Sequence, residues 1–136
     1  MGSKAFERGM KKRREVLGDE WVDAAQRNTT PFNAEFQELI TRYAWDEIWN
    51  RPGLPRKVRR MLVIAMMVAL GRWEEFQLHV RAALASGDLD ADDLKEVLLQ
   101  STIYCGVPSA NTAFKEAREA MAALGEKKKA RPRAKK

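Results

Sequence analysis

With 136 residues, 45% of them hydrophobic, the chain is long enough for one domain with a real core and too apolar to be disordered throughout. Its longest unbroken apolar block, residues 61–70, is half the roughly 20 residues of a membrane-spanning helix. Its start is polar and basic, unlike an export signal, so a soluble cytoplasmic protein is expected. One cysteine, Cys105, and one histidine, His79, exclude an internal disulfide, a two-cysteine redox centre and a cysteine-rich zinc site within one chain, and no metal is expected.

The net charge of +6 is unevenly placed. The last ten residues, KKKARPRAKK, hold seven Lys or Arg and no acid, so the rest of the chain sums to −1, seven below +6. The expected organisation is therefore a single domain over residues 1–125 and a basic, disordered, solubilising tail over 126–136. Weak polyanion contact by that tail is the alternative.

Residues 4–17 carry Phe6, Met10 and Leu17 among charges and are followed by Gly18, which predicts an amphipathic helix with a glycine stop. Residues 19–27 read as a short helix with acids in its first turn, where the macrodipole favours them. Thr30 and Pro31 then predict an N-cap and a first helical position. Phe32, Phe36, Leu39, Ile40, Tyr43 and Trp45 follow at helical spacing, to about Trp49 and the turn signal Asn50-Arg51-Pro52-Gly53.

Pro55 opens the next helix. Its first turns hold Arg56, Lys57, Arg59 and Arg60, cations that oppose the macrodipole and call for solvation, ion pairs or an anionic ligand. The block MLVIAMMVAL continues it, apolar on every face, which predicts a helix surrounded by a core or by a neighbouring subunit. After Gly71, residues 72–86 form the His79 helix, with Phe76, Val80 and Ala83 as its core stripe and Gly87 as its cap. Asp90 is the predicted N-cap of a helix through Leu94, Val97, Leu98, Ile103 and Tyr104. A last helix, from Pro108 or Ser109, runs through Phe114, Ala117, Met121 and Leu124 to Gly125. No segment alternates with period two, so the fold class is all-α, a compact bundle of about six or seven helices.

Gly-rich phosphate loops and Ser-His-Asp patterns are missing. What remains is acid/base work by His79, whose type titrates near neutrality. Glu75 lies one turn before it, on the same helix face. The pair is also what an ordinary surface i, i+4 contact looks like, and spacing alone leaves both readings open. Cys105 sits among apolar residues and reads as a small buried hydrophobe.

Four stretches carry a resemblance: ERGMKKRREVLGDEWVD (7–23), NAEFQELITRYAWDEIWNRPGL (33–54), IAMMVALGRWEEFQLHVRAAL (64–84) and EVLLQSTIYCGVPSANTAF (96–114). Together they closely resemble the gamma-carboxymuconolactone decarboxylase family, within the alkyl-hydroperoxidase-D-like superfamily. The resemblance implies an alkyl-hydroperoxidase-D-like helical fold and homo-oligomers, commonly hexamers. Thiol-dependent relatives place Cys-x-x-Cys before a histidine; here Arg72-Trp73-Glu74-Glu75 precedes His79, so their chemistry does not carry over.

The implied reaction is loss of carbon dioxide from gamma-carboxymuconolactone (4-carboxymuconolactone), giving 3-oxoadipate enol-lactone in the breakdown of aromatic acids through protocatechuate. No cofactor is expected, because the lactone itself accepts the electron pair. The candidate assignments are His79 as proton or hydrogen-bond donor, Glu75 as its orienting partner, and Glu47 as a second acid if burial near Trp45 and Trp49 raises its pKa. Arg42 and Arg51 are candidate carboxylate clamps, and Tyr43 and Tyr104 candidate donors to the lactone oxygen. The competing readings are a same-fold protein acting on another lactone, and a basic helical nucleic-acid-binding module resting on residues 11–14, 56–60 and the tail. A third, peroxide-linked thiol reduction, is disfavoured by the missing cysteine pair.

Overall fold

In the computed structural model, which describes residues 3–130, all regular structure is helical, as the all-α reading requires. The helices divide into two units, one up to Arg59 and one from Arg60 onward.

In the first unit, α1 (Lys4–Leu17) is capped by Ser3, whose Oγ accepts the Phe6 N–H at 3.1 Å. Gly18, at φ +91°, ends it as expected and turns the chain directly into α2 (Asp19–Arg27). Arg14 fastens the two helices, donating to Asp19 Oδ1 at 3.0 Å, Asp23 Oδ1 at 2.8 Å and Gln26 Oε1 at 3.1 Å.

The third helix starts later than Thr30-Pro31 predicts. Asn33 folds its Oδ1 back onto the Thr30 N–H at 2.8 Å, closing a turn over residues 30–33, and α3 begins beyond it (Ala34–Ile40). Phe32, expected on the core stripe, is 98% exposed in that turn. Then α3 widens into a π-helical segment, Thr41–Ile48, which closes with Trp49 N–H donating to Ala44 O five residues back at 3.0 Å. This segment packs against α1 at Gly9, where a Cβ would stand 2.1 Å from the Thr41 carbonyl oxygen, so only glycine permits the approach. Arg8 binds Asp46 through Nε and Nη2, both at 3.0 Å, and this contact holds the Asp46 carboxyl below its ordinary range.

The helix α4 (Arg56–Leu70) passes through the division. In the second unit its stripe Ile64 and Val68 packs with Phe76, Val80 and Ala83 of α5 (Trp73–Ser86), Leu94 and Leu98 of α6 (Ala91–Cys105) and Ala113, Ala117 and Ala120 of α7 (Val107–Ala130). The alanine ridge lets α7 approach α5 and α6 closely. Asp90 caps α6 as predicted. Its Oδ1 accepts the Asp93 N–H at 2.8 Å, while the Asp93 carboxylate accepts the Asp90 N–H at 3.1 Å, a reciprocal capping box. Cys105 is half-buried against this core.

One expectation is narrowed and another corrected. The apolar block of α4 buries only one stripe within the chain, so its own core does not surround it, and Leu62, Met66 and Leu70 are left for the other expected cover, a neighbouring subunit. Gly125 does not stop α7, which continues to Ala130, because a lone glycine in a long helix weakens it without breaking it. Residues 131–136 of the expected tail lie outside the described residues.

Candidate active site

Of the candidate residues, His79 sits in the environment that perturbs it most. On α5 it stands between the core residues Phe76 and Val80, and its Nδ1 is fully enclosed with no hydrogen-bond partner among the described residues. Buried polar atoms in native folds are rarely left so, and such an atom marks a strained or functional position. Burial is the main force lowering the His79 pKa, to about 4; the positive charge of Arg60 adds to it and the negative charge of Glu75 opposes it. The imidazole is therefore neutral at pH 7.

Arg60 reaches this region because it shares the buried stripe of α4, one and two turns before Ile64 and Val68. It is 1% exposed, and its Nε donates to Asp88 Oδ2 at 2.6 Å. Asp88 follows Gly87, whose left-handed backbone at φ +80° ends α5 and turns the chain back. Charge compensation by Asp88 is what makes burial of the guanidinium tolerable. Sequence reasoning placed Arg60 within a basic cluster and did not single it out; Asp88 was missed entirely. The signal was available, since Arg60, Ile64 and Val68 follow one another at i, i+4, i+8.

Glu75 is partly exposed and accepts a hydrogen bond from Arg72 Nη2 at 2.7 Å, which holds its carboxyl below the usual carboxylate range. Its carboxylate is thus engaged by Arg72, and it acts on His79 through charge, with no hydrogen bond between them among the described residues. Tyr104, near the end of α6, is 81% exposed. His79, Glu75 and Tyr104 all belong to the second unit.

The other four candidates belong to the first unit. Arg42, Tyr43 and Glu47 project from the π-helical segment and are exposed. Arg42 Nε faces Glu38 Oε1 at 3.7 Å, a loose surface pair. Arg51 is exposed in the following turn, its carbonyl accepting from Arg59 Nη2 at 3.2 Å. The burial expected for Glu47 is not met. Trp45 takes the inward position instead and stacks on Trp49 with ring centroids 5.5 Å apart. The wider turn of a π-helix, whose hydrogen bond spans one residue more than that of an α-helix, shifts which side chains face inward, so α-helical spacing misplaces them.

The basic run at residues 56–60 does not form a free cationic stripe. Arg60 is buried against Asp88, Arg56 Nη1 lies 3.6 Å from Glu15 Oε2, and Arg59 reaches the Arg51 carbonyl. This arrangement takes away much of the ground for a nucleic-acid module.

Residues 34–119 match the sequence profile of the carboxymuconolactone decarboxylase family. The chain belongs to this family. It is 42% identical over 120 residues to a 4-carboxymuconolactone decarboxylase of Acinetobacter baylyi, a match covering 88% of this chain and 89% of that protein. It is 43% identical over 104 residues to a nitrosuccinic acid decarboxylase of Metarhizium robertsii, covering 76% of this chain and 72% of that protein. A 4-carboxymuconolactone decarboxylase sequence from Pseudomonas putida is 51% identical over 39 residues, 29% of this chain and 81% of that sequence. The span matched to the carboxymuconolactone decarboxylase family contains His79, Arg60 and Asp88 together with every candidate residue named from the sequence.

Proposed function

We propose that this member of the carboxymuconolactone decarboxylase family removes carbon dioxide from 4-carboxymuconolactone and yields 3-oxoadipate enol-lactone, in the breakdown of aromatic acids. The observation that carries the reading is the likeness to the Acinetobacter decarboxylase, which extends over nearly all of both chains.

The chemistry fits the residues around His79. When the carbon–carboxylate bond breaks, its electron pair flows through the ring double bond into the lactone carbonyl, forming a dienolate. The substrate is its own electron sink, so the reaction calls for no cofactor. A neutral imidazole donates a hydrogen bond to the developing oxyanion, as a low pKa favours. The dienolate takes its proton at the ring carbon next to the lactone carbonyl, which leaves the double bond at the carbon that lost carbon dioxide. That proton comes from solvent with His79 as its carrier, because negative charge arriving beside the imidazole raises its proton affinity. Arg60 provides the fixed positive field in which that charge develops. Arg42 and Arg51 remain candidate carboxylate clamps, Tyr43 and Tyr104 candidate donors, Glu47 a second candidate acid and Glu75 the partner of His79.

The fungal relative favours a second reading. Its printed substrate is nitrosuccinic acid. A carboxylate on the carbon that bears a nitro group also leaves its electron pair in an adjacent acceptor, here the nitro group. The shared requirement is a carboxylate placed next to an electron sink. Side-by-side turnover of 4-carboxymuconolactone and nitrosuccinate separates the two: the first reading predicts kcat/KM at least a hundredfold higher for the lactone, and the reverse order makes the nitro acid the substrate.

Within this proposal the protein is a homo-oligomer. Leu62, Met66 and Leu70 on α4 and Leu99, Ile103, Tyr104 and Val107 around the end of α6 are exposed in the single chain. Copies of the chain would cover such surfaces. The hexamer implied by the family resemblance is the expected state. No helix among the described residues is long and apolar enough to cross a membrane, and the cytoplasm is the proposed compartment.

A further inference from the structure

The first unit holds a cleft of about 360 Å³ that is lined by none of the seven candidate site residues. Its walls include Phe6, Met10 and Arg13 of α1, Gln37 and Glu38 of α3, and Thr41. Arg13 is the unusual member. It is 4% exposed, and its Nε is enclosed without a hydrogen-bond partner. Its guanidinium lies 5.3 Å from the centroid of the Trp21 ring, a contact that stabilises a cation but neutralises nothing. No carboxylate of the described residues bonds to it.

The contrast with other arginines of the chain is sharp. Arg14 has Asp19, Asp23 and Gln26, and buried Arg60 has Asp88. A guanidinium stays protonated at neutral pH even where burial lowers its proton affinity, as it does here. A buried charge of this kind is costly to hold, and a counter-charge that reaches it lowers the cost.

We propose that this cleft binds a small organic monocarboxylate with an apolar body, its carboxylate on Arg13 and its hydrocarbon part against Phe6 and Met10. The volume lies at the lower end of ligand pockets, roughly 300–1,000 Å³. The single lining cation sets the charge at one. Glu38, on the α3 wall and facing Arg42 at 3.7 Å, disfavours a second carboxylate. The ligand class therefore differs from the doubly charged lactone, and the site is separate from the decarboxylation chemistry.

The test uses the full chain in its native assembly and benzoate as the probe. Titration calorimetry should show benzoate binding at least tenfold tighter than neutral benzamide and tighter than the dianion phthalate. The Nε–H resonance of Arg13 should shift with benzoate and not with benzamide. Arg13→Gln should weaken benzoate at least tenfold with turnover unchanged. Should Arg13→Gln fail to fold, Ala34→Phe, which fills the exposed rim of the cleft and leaves Arg13 in place, should weaken benzoate equally. Benzoate binding no tighter than benzamide, an unmoved Arg13 signal at saturation, or full binding in a folded Arg13→Gln or Ala34→Phe variant overturns the proposal. So does benzoate binding that disappears in His79→Gln, since it places the ligand at the decarboxylation site.

Discussion

His79 and Gly9 each owe their behaviour to a residue far away in the sequence, Arg60 and Thr41. His79 was found because it is the one histidine of the chain, but its low pKa comes first from burial and then from Arg60, neither of which sequence spacing reveals. The folded chain holds the His79 proton less tightly than the unfolded chain, whose histidine titrates near 6.5. Its contribution to stability is therefore complete above about pH 6.5 and falls as the pH drops toward 4. A shift of this size corresponds to at most about 3 kcal/mol. Urea unfolding at pH 7 and at pH 4.5 should show a smaller acid loss in His79→Gln than in the parent chain, and equal losses would remove this linkage. At pH 7 the same variant should keep its fold and lose turnover by at least about a hundredfold, in line with general acid–base contributions. Gly9 went unread because nothing in a sequence marks a helix that must approach a carbonyl 32 positions away. Gly9→Ala should cost about 3 kcal/mol, from the collision with the Thr41 carbonyl, measured as a fall in the urea midpoint.

At the scale of elements, local punctuation was readable where a side chain closes its own helix. Gly18, Gly87 and Asp90 end or begin helices where their chemistry says they should. Asp90→Ala should lower stability by about 1 kcal/mol, through loss of the reciprocal cap. Punctuation failed where a competing local bond intervened, as at Asn33, and where helical geometry changed, as over Thr41–Ile48. That π-helical turn explains why Glu47 is exposed when α-helical spacing buries it. The pairing of α4 with the turn after α5 is likewise tertiary. Asp88→Asn leaves the Arg60 charge without its counter-ion and should destabilise the chain by about 3 kcal/mol, with Asp88→Glu partly restoring it. An unchanged melting temperature in Asp88→Asn would mean that this ion pair contributes nothing to the fold.

For the molecule as a whole, fold class was visible from helical periodicity alone, and the reaction only through resemblance, because a single His–Glu pair is compatible with many chemistries. Which residues line the substrate was not legible, since the seven candidates come from both units. The apolar surface on α4 and α6 predicts assembly. Light scattering should give a mass several times the 15.5 kDa of one chain, and Ile103→Glu should lower it; a monomer at micromolar concentration would contradict this. The charge imbalance of residues 127–136 belongs to solubility in this account, so a chain ending at Glu126 should retain full turnover. The most direct measurement is of the reaction itself. The purified chain is supplied with 4-carboxymuconolactone generated in place, in the presence of a chelator and without added cofactors, and carbon dioxide and enol-lactone are followed together. The account predicts rapid turnover with one carbon dioxide released per enol-lactone formed; folded, assembled protein that releases none would contradict it.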